Sequence, residues 1–205
     1  MRVTNGARER MVVCVNGGQR GEVDGTWSAS LEWLVRRLAP RFPRLGFAEV
    51  KYRIKSWKRL ELCVEDARAA VRGAEGRQTL LLGFSMGGAV AIAAADEPTV
   101  GRVVGLAPWI PDRLDVSALR GKRFDVLHGS LDAHLPGIPG VSPASSRWGF
   151  ERARRLLGVE GEYTLIPGGV HGIALRAHWG RPVPLPRAGR WAQLVARELE
   201  GFQAG

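Results

Sequence analysis

The sequence is poor in cysteine and in lysine. The two cysteines, Cys14 and Cys63, have no metal-ligand or redox spacing and lie in apolar stretches, so we expect buried thiols. All but four of the 30 basic residues are arginines, and these are scattered along the chain. The formal net charge of +10 raises the hypothesis of a nucleic-acid-binding protein, but scattered arginines are typical of a solvated surface. We therefore expect no nucleic-acid partner.

Long apolar runs are also missing. The longest, around residues 89–95, is far shorter than the roughly 20 residues of a membrane span. Residues 11–15 are too few for the core of a signal peptide and are flanked by charged residues. We therefore predict a cytoplasmic protein without a membrane partner.

The apolar content is nevertheless sufficient for one core. The 205 residues are 45% hydrophobic and 24% charged, which is typical of a globular chain and short for two domains. We expect a single domain over residues 1–205, and the sequence leaves its oligomeric state open.

The most informative stretch surrounds Ser85. A short β-prone run precedes Gly83-Phe84-Ser85-Met86-Gly87, and an Ala-rich run of helical character follows it. This is the G-x-S-x-G pattern of a nucleophile elbow, in which a sharp strand-to-helix turn exposes the serine hydroxyl. The turn strains the backbone at Ser85, and side chains at the Gly83 and Gly87 positions would collide with the neighbouring strand or helix.

Strand-like and helix-like segments alternate along the chain. Predicted strands are residues 11–15, 47–53, the run before Ser85, 100–106, 124–128 and 162–166; predicted helices are residues 28–38, 60–72, the run after Ser85, 145–157 and 189–200. This order predicts an α/β fold with a mostly parallel sheet of about six strands covered by helices on both faces. In such sheets, ligands bind at the carboxyl ends of the strands.

Two loops at that edge carry chemistry. Asp132 follows the fifth predicted strand, and His171 follows the sixth. Taken alone, His171 is typical of a polar surface residue and Asp132 of a turn former. Their positions after strands, in the chain order Ser85, Asp132, His171, predict a serine nucleophile, an orienting acid and a general base. We expect His128 to be a packed, hydrogen-bonded neighbour, and His134 and His178 have no assigned role.

The glycine-rich turn at residues 16–21 has three interpretations. It is a plain tight turn, an incomplete phosphate-binding turn because Asn16 replaces the first glycine, or an oxyanion-hole loop. The third fits the elbow. We then expect the backbone N–H of Met86 and that of Gly18 or Gln19 to bind the oxyanion.

These segments together resemble the signatures of the α/β-hydrolase superfamily: residues 83–88, 128–132 and 168–172. The resemblance implies a small serine hydrolase with a Ser85-Asp132-His171 triad and a two-amide oxyanion hole. Asn16 stands where the family usually has histidine. In the family, antiparallel strands commonly precede the strand that leads into the oxyanion-hole loop, here residues 11–15, and we expect these antiparallel strands to be missing. Where many members have a helical lid, residues 107–123 leave room only for a loop and one helical turn.

Large apolar side chains in the loops at the predicted catalytic edge could form a wall for an acyl or aromatic substrate, or they could pack in the core. They are Trp27, Trp57, Trp109, Trp148, Pro108, Ile110 and Leu135. Among these we expect Trp57 and Trp109, together with Gln19, to bind substrate. Basic residues in the same loops are candidates for binding an anionic group of the substrate: Arg20, Lys55, Lys58 and Arg59.

The first hypothesis is therefore hydrolysis of a carboxylic ester or thioester through an acyl-enzyme intermediate. The expected partner is a small-molecule acyl substrate, and this chemistry needs no metal or organic cofactor. Acyl transfer or lactone formation on the same residues is the alternative. From other classes, an NAD(P)-binding reductase would use the turn at residues 16–21, with Arg53 near a 2′-phosphate, and a non-catalytic binding protein would use the positive charge.

Overall fold

A seven-stranded sheet forms the centre of the molecule. The computed structural model describes residues 1–132 and 140–205, so His134 and Leu135 of the sequence analysis lie outside the described residues. The sheet order is β1-β4-β2-β6-β7-β8-β9. The strands are β1 (Arg2–Thr4), β2 (Arg10–Val15), β3 (Val23–Asp24), β4 (Leu45–Glu49), β5 (Ile54–Lys55), β6 (Gln78–Phe84), β7 (Val100–Leu106), β8 (Arg123–Gly129), β9 (Tyr163–Ile166), β10 (Ala174–Arg176) and β11 (Pro182–Pro184).

Helices cover both faces of this sheet. They are α1 (Ala29–Leu38), α2 (Leu60–Gly73), α3 (Met86–Ala93), α4 (Pro143–Leu157) and α5 (Ala188–Ala204). Side chains alternate along each strand, so that Met11, Val13 and Val15 pack with α2, α3 and α4, whereas Val12 and Cys14 pack with α1 and α5. The predicted α/β class with a mostly parallel, doubly covered sheet is confirmed.

The strand order also separates this fold from the dinucleotide-binding one. Counted along the chain, the six parallel strands β2, β4, β6, β7, β8 and β9 lie in the spatial order 2-1-3-4-5-6. The classical dinucleotide fold has the order 3-2-1-4-5-6. The reductase alternative therefore lacks the sheet topology that it requires. In the observed order, β4 is added on one side of β2 and β6 on the other, so the direction in which strands are added to the sheet reverses at β2 and β6. The crevice outside the carboxyl ends of these two parallel strands is the expected ligand site.

The second predicted strand was too long. It was expected over residues 47–53 but spans Leu45–Glu49, and residues 54–55 beyond the predicted strand pair with β3 in a separate two-stranded ribbon. Polar contacts take the intervening chain away from the sheet. The hydroxyl of Tyr52 donates to the carbonyl of Asn16 at 2.7 Å, and the N–H of Arg53 donates to the Asp66 carboxylate at 2.8 Å. The strand was predicted from its apolar, β-prone residues, and these residues do not indicate that Tyr52 and Arg53 bind polar groups outside the sheet.

The expectation that no antiparallel strand precedes β2 was wrong. β1 pairs antiparallel with β4, with Arg2 opposite Glu49. The Arg2 guanidinium donates to the Glu49 carboxylate at 2.6 Å, so an ion pair reinforces a strand of only three residues. A segment this short has no hydrophobic period by which the sequence could have revealed it.

The segment between β7 and β8 is as short as predicted. A single 3₁₀ turn, Ser117–Leu119, is the only helical element there, and no lid is inserted. A second small ribbon, formed by β10 and β11, follows His171 and packs near α1. Within the described residues, no helix combines the length and apolar character needed to span a bilayer.

Candidate active site

Ser85 lies on a strained turn between β6 and α3. Its φ of 56° and ψ of −121° place a non-glycine residue in a backbone region that few side chains tolerate. The turn closes because its neighbours are glycines. A Cβ on Gly83 would lie 2.3 Å from the carbonyl oxygen of Gly87, and one on Gly87 would lie 2.2 Å from that of Val15. The sharp turn predicted from G-x-S-x-G is therefore present.

The structure brings the three predicted catalytic side chains into one chain of hydrogen bonds. Nδ1 of His171 lies 2.8 Å from Oδ2 of Asp132, and Nε2 of His171 lies 3.0 Å from Oγ of Ser85. An ionised carboxylate only accepts, so Nδ1 of the neutral imidazole carries the hydrogen and Nε2 accepts from the serine hydroxyl. His171 is nearly buried, and its ring packs against Phe84 at a centroid distance of 5.3 Å.

Asp132 is fully buried and firmly held. Its Oδ1 accepts the backbone N–H of Val141 at 2.9 Å, while Nε2 of His128 lies 3.1 Å from its Oδ2. Burial is the largest influence on the pKa of Asp132 and raises it, but hydrogen bonds from His128 and His171 and their charges together outweigh burial. They lower the pKa from its usual 3.8 to about 2. Asp132 is therefore an anion at neutral pH.

Sequence reasoning placed His128 correctly but missed its partner. It was expected to be a packed, hydrogen-bonded neighbour, and it is completely buried, with Nε2 also 3.0 Å from the carbonyl oxygen of Val141. That the second partner is Asp132 itself was not foreseen. His128 and Asp132 are four residues apart at the end of β8. This spacing shows that the two residues are close along the chain, but it does not show that their side chains point toward each other.

A second group of contacts joins the acid loop to the histidine loop. Oγ of Ser130 accepts the N–H of Gly168 at 2.9 Å, and the N–H of Leu131 donates to the carbonyl of Gly169 at 2.8 Å. These contacts fix the loops of Asp132 and His171 relative to each other. Neither Ser130 nor Leu131 was identified from the sequence.

The loop after β2 lies over Ser85. A Cβ on Gly17 would touch the Cβ of Ser85 at 3.4 Å, and one on Gly18 would lie 2.2 Å from Sδ of Met86. Asn16 holds the loop in place, since its side-chain amide donates to the carbonyl of Thr26 at 2.7 Å.

Three backbone amides are available beside the serine. Within the described residues, no acceptor is found for the N–H groups of Gly18, Gln19 and Met86. The carbonyl of Gln19 is used, because it accepts the N–H of Trp57 at 3.0 Å. Unpaired amides on the loop after β2 and at the first residue of α3, where the two segments pack against each other, are what an oxyanion site requires.

Two cavities meet at Ser85. The first, of about 340 Å³ and called the polar cavity below, is lined by polar and charged residues that include Gln19, Arg20, Lys55 and His171, together with the Phe84 ring. The second, of about 230 Å³, is apolar, and Trp109, Met86 and Val141 line it. Trp57 lines both cavities.

Four of the other residues considered as a substrate wall lie elsewhere: Trp27, Trp148, Ile110 and Pro108. Trp27 packs under the Arg2 guanidinium at 4.7 Å, and Trp148 is exposed and donates to Asp112. Ile110 is a core residue, and Pro108 packs against α3. His178 is exposed beside Trp179.

Comparison with known proteins shows the fold. No protein-family model matches the sequence. A search of curated proteins also finds no match. Among solved structures, esterase PE8 superposes with a TM-score of 0.66 at 15% identity, over 96% of this chain and 97% of that one. A monoacylglycerol lipase from Paleococcus ferrophilus gives 0.63 at 14% identity, over 97% and 98%.

This chain has the α/β-hydrolase fold. XC6422 from Xanthomonas campestris, described as an α/β serine hydrolase without a lid, gives a TM-score of 0.55 at 16% identity, over 80% of this chain and 74% of that one. The α/β-hydrolase fold places Ser85, Asp132 and His171 after β6, β8 and β9, at the carboxyl edge of the sheet.

Proposed function

We propose that the protein is a serine hydrolase that cleaves a carboxylic ester or thioester through an acyl-enzyme intermediate. The observation that carries the proposal is the position of His171, whose two ring nitrogens lie 2.8 Å from the Asp132 carboxylate and 3.0 Å from the Ser85 hydroxyl. A serine hydroxyl becomes nucleophilic when a base within such a distance takes its proton.

Acylation follows from this geometry. Oγ of Ser85 attacks the carbonyl carbon while Nε2 of His171 takes the hydroxyl proton. The buried Asp132 carboxylate stabilises the imidazolium that forms. The tetrahedral intermediate then collapses: the bond to the leaving oxygen or sulfur breaks, and His171 returns the proton to the leaving group. Deacylation repeats these steps, with a water molecule replacing the Ser85 hydroxyl.

The negative charge on the intermediate requires donors placed in advance. We assign this role to the N–H of Met86 and the N–H of Gly18 or Gln19. Each such donor lowers the barrier by roughly 3 kcal/mol. Trp109 and Trp57 then provide an apolar wall for the acyl group, and Gln19 contacts the substrate from the polar side.

Hydrolysis is favoured over transfer to another acceptor by the short connection between β7 and β8. No lid is inserted in this connection, so the connection does not exclude water as acceptor of the acyl group. Acyl transfer and lactone formation use the same three side chains, with a substrate hydroxyl in place of water.

The test is covalent labelling with a fluorophosphonate probe, measured by intact mass. We expect the wild type to gain one probe adduct and Ser85→Ala to gain none. Ser145→Ala is the control, because Ser145 is exposed and is not among the described residues that line this cavity, so its loss should leave labelling intact. Labelling of Ser85→Ala at the wild-type rate, or no labelling of the wild type while a reference hydrolase reacts, would disprove the assignment.

Substrate type is then resolved with nitrophenyl esters and acyl thioesters. The proposal predicts turnover of at least one of these classes, with a burst of leaving group equal to one equivalent of enzyme when deacylation is slow. Turnover that persists in Ser85→Ala would show that another group performs the reaction.

A further inference from the structure

The cavity on the His171 side contains two cations without carboxylate partners. Lys55 and Arg20 both line it. Nζ of Lys55 lies 3.3 Å from the neutral hydroxyl of Thr26. Within residues 1–132 and 140–205, neither cation forms an ion pair. Burial lowers the pKa of Lys55, and no neighbouring acid raises it.

Other basic side chains in this region are neutralised. Arg53 pairs with Asp66 at 2.6 Å, and Arg59 pairs with Glu61 at 2.8 Å. Lys58 is exposed and does not line the cavity. Of the four basic residues that the sequence analysis considered, only Lys55 and Arg20 therefore face the site. Unpaired positive charge is concentrated where a substrate would lie.

The surrounding backbone adds to this positive potential. Residues Ser28, Ala29 and Ser30, at the start of α1, line the same cavity. The N-terminal end of a helix carries partial positive charge, which favours an anion nearby. The described lining of the second cavity contains no charged side chain, so among the described residues the charge lies on the His171 side of the nucleophile.

The position of His171 determines which part of the substrate occupies each cavity. The leaving atom must receive its proton from Nε2 of His171, so the leaving group lies on the side of that histidine. His171 lines the polar cavity with Lys55, whereas the described lining of the apolar cavity includes Met86 and Trp109 instead. The acyl group therefore occupies the apolar cavity and the leaving group the polar one.

From this arrangement, and resting on the proposed function, we propose that the substrate joins an apolar acyl group to an alcohol or thiol that carries an anionic group. Lys55 and Arg20 bind that group, which is a carboxylate or a phosphate. The bond between the acyl carbon and the leaving oxygen or sulfur breaks as the bond to Oγ of Ser85 forms. The proton from Ser85 passes through His171 to the leaving atom, which departs as the anionic alcohol or thiol.

A matched pair of substrates tests this assignment. The butyrate esters of 4-hydroxybenzoate and of 4-hydroxybenzamide have nearly the same shape, but only the first carries a negative charge in its leaving group. We measure kcat/KM for both and take the ratio, which cancels general damage to the enzyme. The butyrate ester of 4-hydroxyphenylphosphonate distinguishes a phosphate-type group from a carboxylate.

Lys55→Met removes the charge and retains the length of the side chain. We expect it to lower the ratio of anionic to neutral kcat/KM about tenfold, as loss of one charge-assisted hydrogen bond does. Lys55→Arg should restore most of the ratio. Lys58→Met, three residues along the chain and outside the cavity, should leave the ratio unchanged. Equal effects of Lys55→Met on both esters, or none on either, would overturn the proposal.

A binding measurement separates this inference from the catalytic one. Calorimetric titration of Ser85→Ala with 4-hydroxybenzoate and with 4-hydroxybenzamide reports the anion site without any turnover. We expect tighter binding of the carboxylate, and Lys55→Met in the same background should lower that preference about tenfold. Equal affinity for both compounds disproves the anion site, even if Ser85 is labelled; preference for the carboxylate without labelling disproves only the catalytic proposal.

Discussion

Nε2 of His128 lies 3.1 Å from Oδ2 of Asp132, and both side chains are completely buried. The same carboxylate oxygen lies 2.8 Å from Nδ1 of His171. Asp132 is therefore held between two imidazoles, one belonging to the proposed catalytic chain and one behind it. Because Nε2 of His128 also faces the Val141 carbonyl, it carries the hydrogen and donates toward Asp132. His128 thus restrains the carboxylate that orients His171.

Replacing His128 should therefore lower kcat without removing any reacting group. His128→Leu removes a donor to a charged acceptor, and we expect a loss of about ten- to a hundredfold in kcat. His128→Gln, whose amide N–H reaches a similar position, should recover part of it. Tyr163→Phe is the control, since the ring stacked on His128 remains and the change removes the hydroxyl that donates to the Pro143 carbonyl. Equal kcat for His128→Leu and wild type would contradict the restraining role.

The ionisation of Asp132 should make the fold sensitive to acid. Its pKa is lowered from 3.8 to about 2 in the folded chain. A group whose folded pKa is depressed stabilises the fold above the unfolded pKa, and this contribution is lost as the pH falls through the folded value. We expect about 2 kcal/mol to be lost between roughly pH 4 and pH 2.

Urea unfolding of the wild type and Asp132→Asn at several pH values measures this contribution. The difference in unfolding free energy between them should shrink as the pH falls from 4 to 2. A difference that stays constant across this range would show that Asp132 does not titrate as described.

The elbow should not accept a methyl group at Gly87. A Cβ there would lie 2.2 Å from the carbonyl oxygen of Val15 and 2.5 Å from that of Asn16, both backbone atoms that cannot rotate away. We expect Gly87→Ala to lower the unfolding free energy by about 3 kcal/mol or more, or to prevent folding. Gly189→Ala is the matched control, because nothing lies within 4 Å of its Cβ position in α5. Helix propensity predicts that it stabilises by roughly 0.5–1 kcal/mol. Similar melting temperatures for the two variants would contradict the close packing.

Gly18→Ala should damage activity more than stability. The new Cβ would press on Sδ of Met86 at 2.2 Å and on the Trp57 ring at 2.6 Å, both side-chain atoms that can move. Their displacement shifts the loop over Ser85, and an error of about 1 Å in such a site costs about a hundredfold in rate. We expect a fall of that order in kcat/KM with little change in melting temperature. Gly21→Ala, in the same loop with no contact closer than 4.0 Å, should behave as wild type. Comparable kcat/KM for both variants would exclude this loop from the site.

Much of the fold could be predicted because its signals are local. The apolar runs that became β2 and β6 are β-prone and nearly continuous, as is typical of strands buried on both faces. The elbow was recognisable because its backbone demands glycine at positions 83 and 87. The end of β4 and the presence of β1 were not predictable, since both depend on polar contacts to distant residues such as Asp66 and Glu49.

The extent of the domain, the cytoplasmic location and the roles of the site residues remain predictions. For the site, order along the chain sufficed to nominate Ser85, Asp132 and His171, because parallel strands bring all their carboxyl ends to one edge. Order along the chain does not say which side chains face one another across that edge.

The sequence by itself therefore determined the alternation of strands and helices, the strained serine turn and the chain order of the three candidate catalytic residues. Only the tertiary structure decided that Lys55 faces the cavity while Lys58 faces solvent, and that Trp109 lines the site while Trp148 does not. It also decided that His128 supports Asp132. The physical reason is that hydrophobic period and turn chemistry act over a few residues, whereas the direction of a loop side chain is set by contacts between segments far apart in sequence.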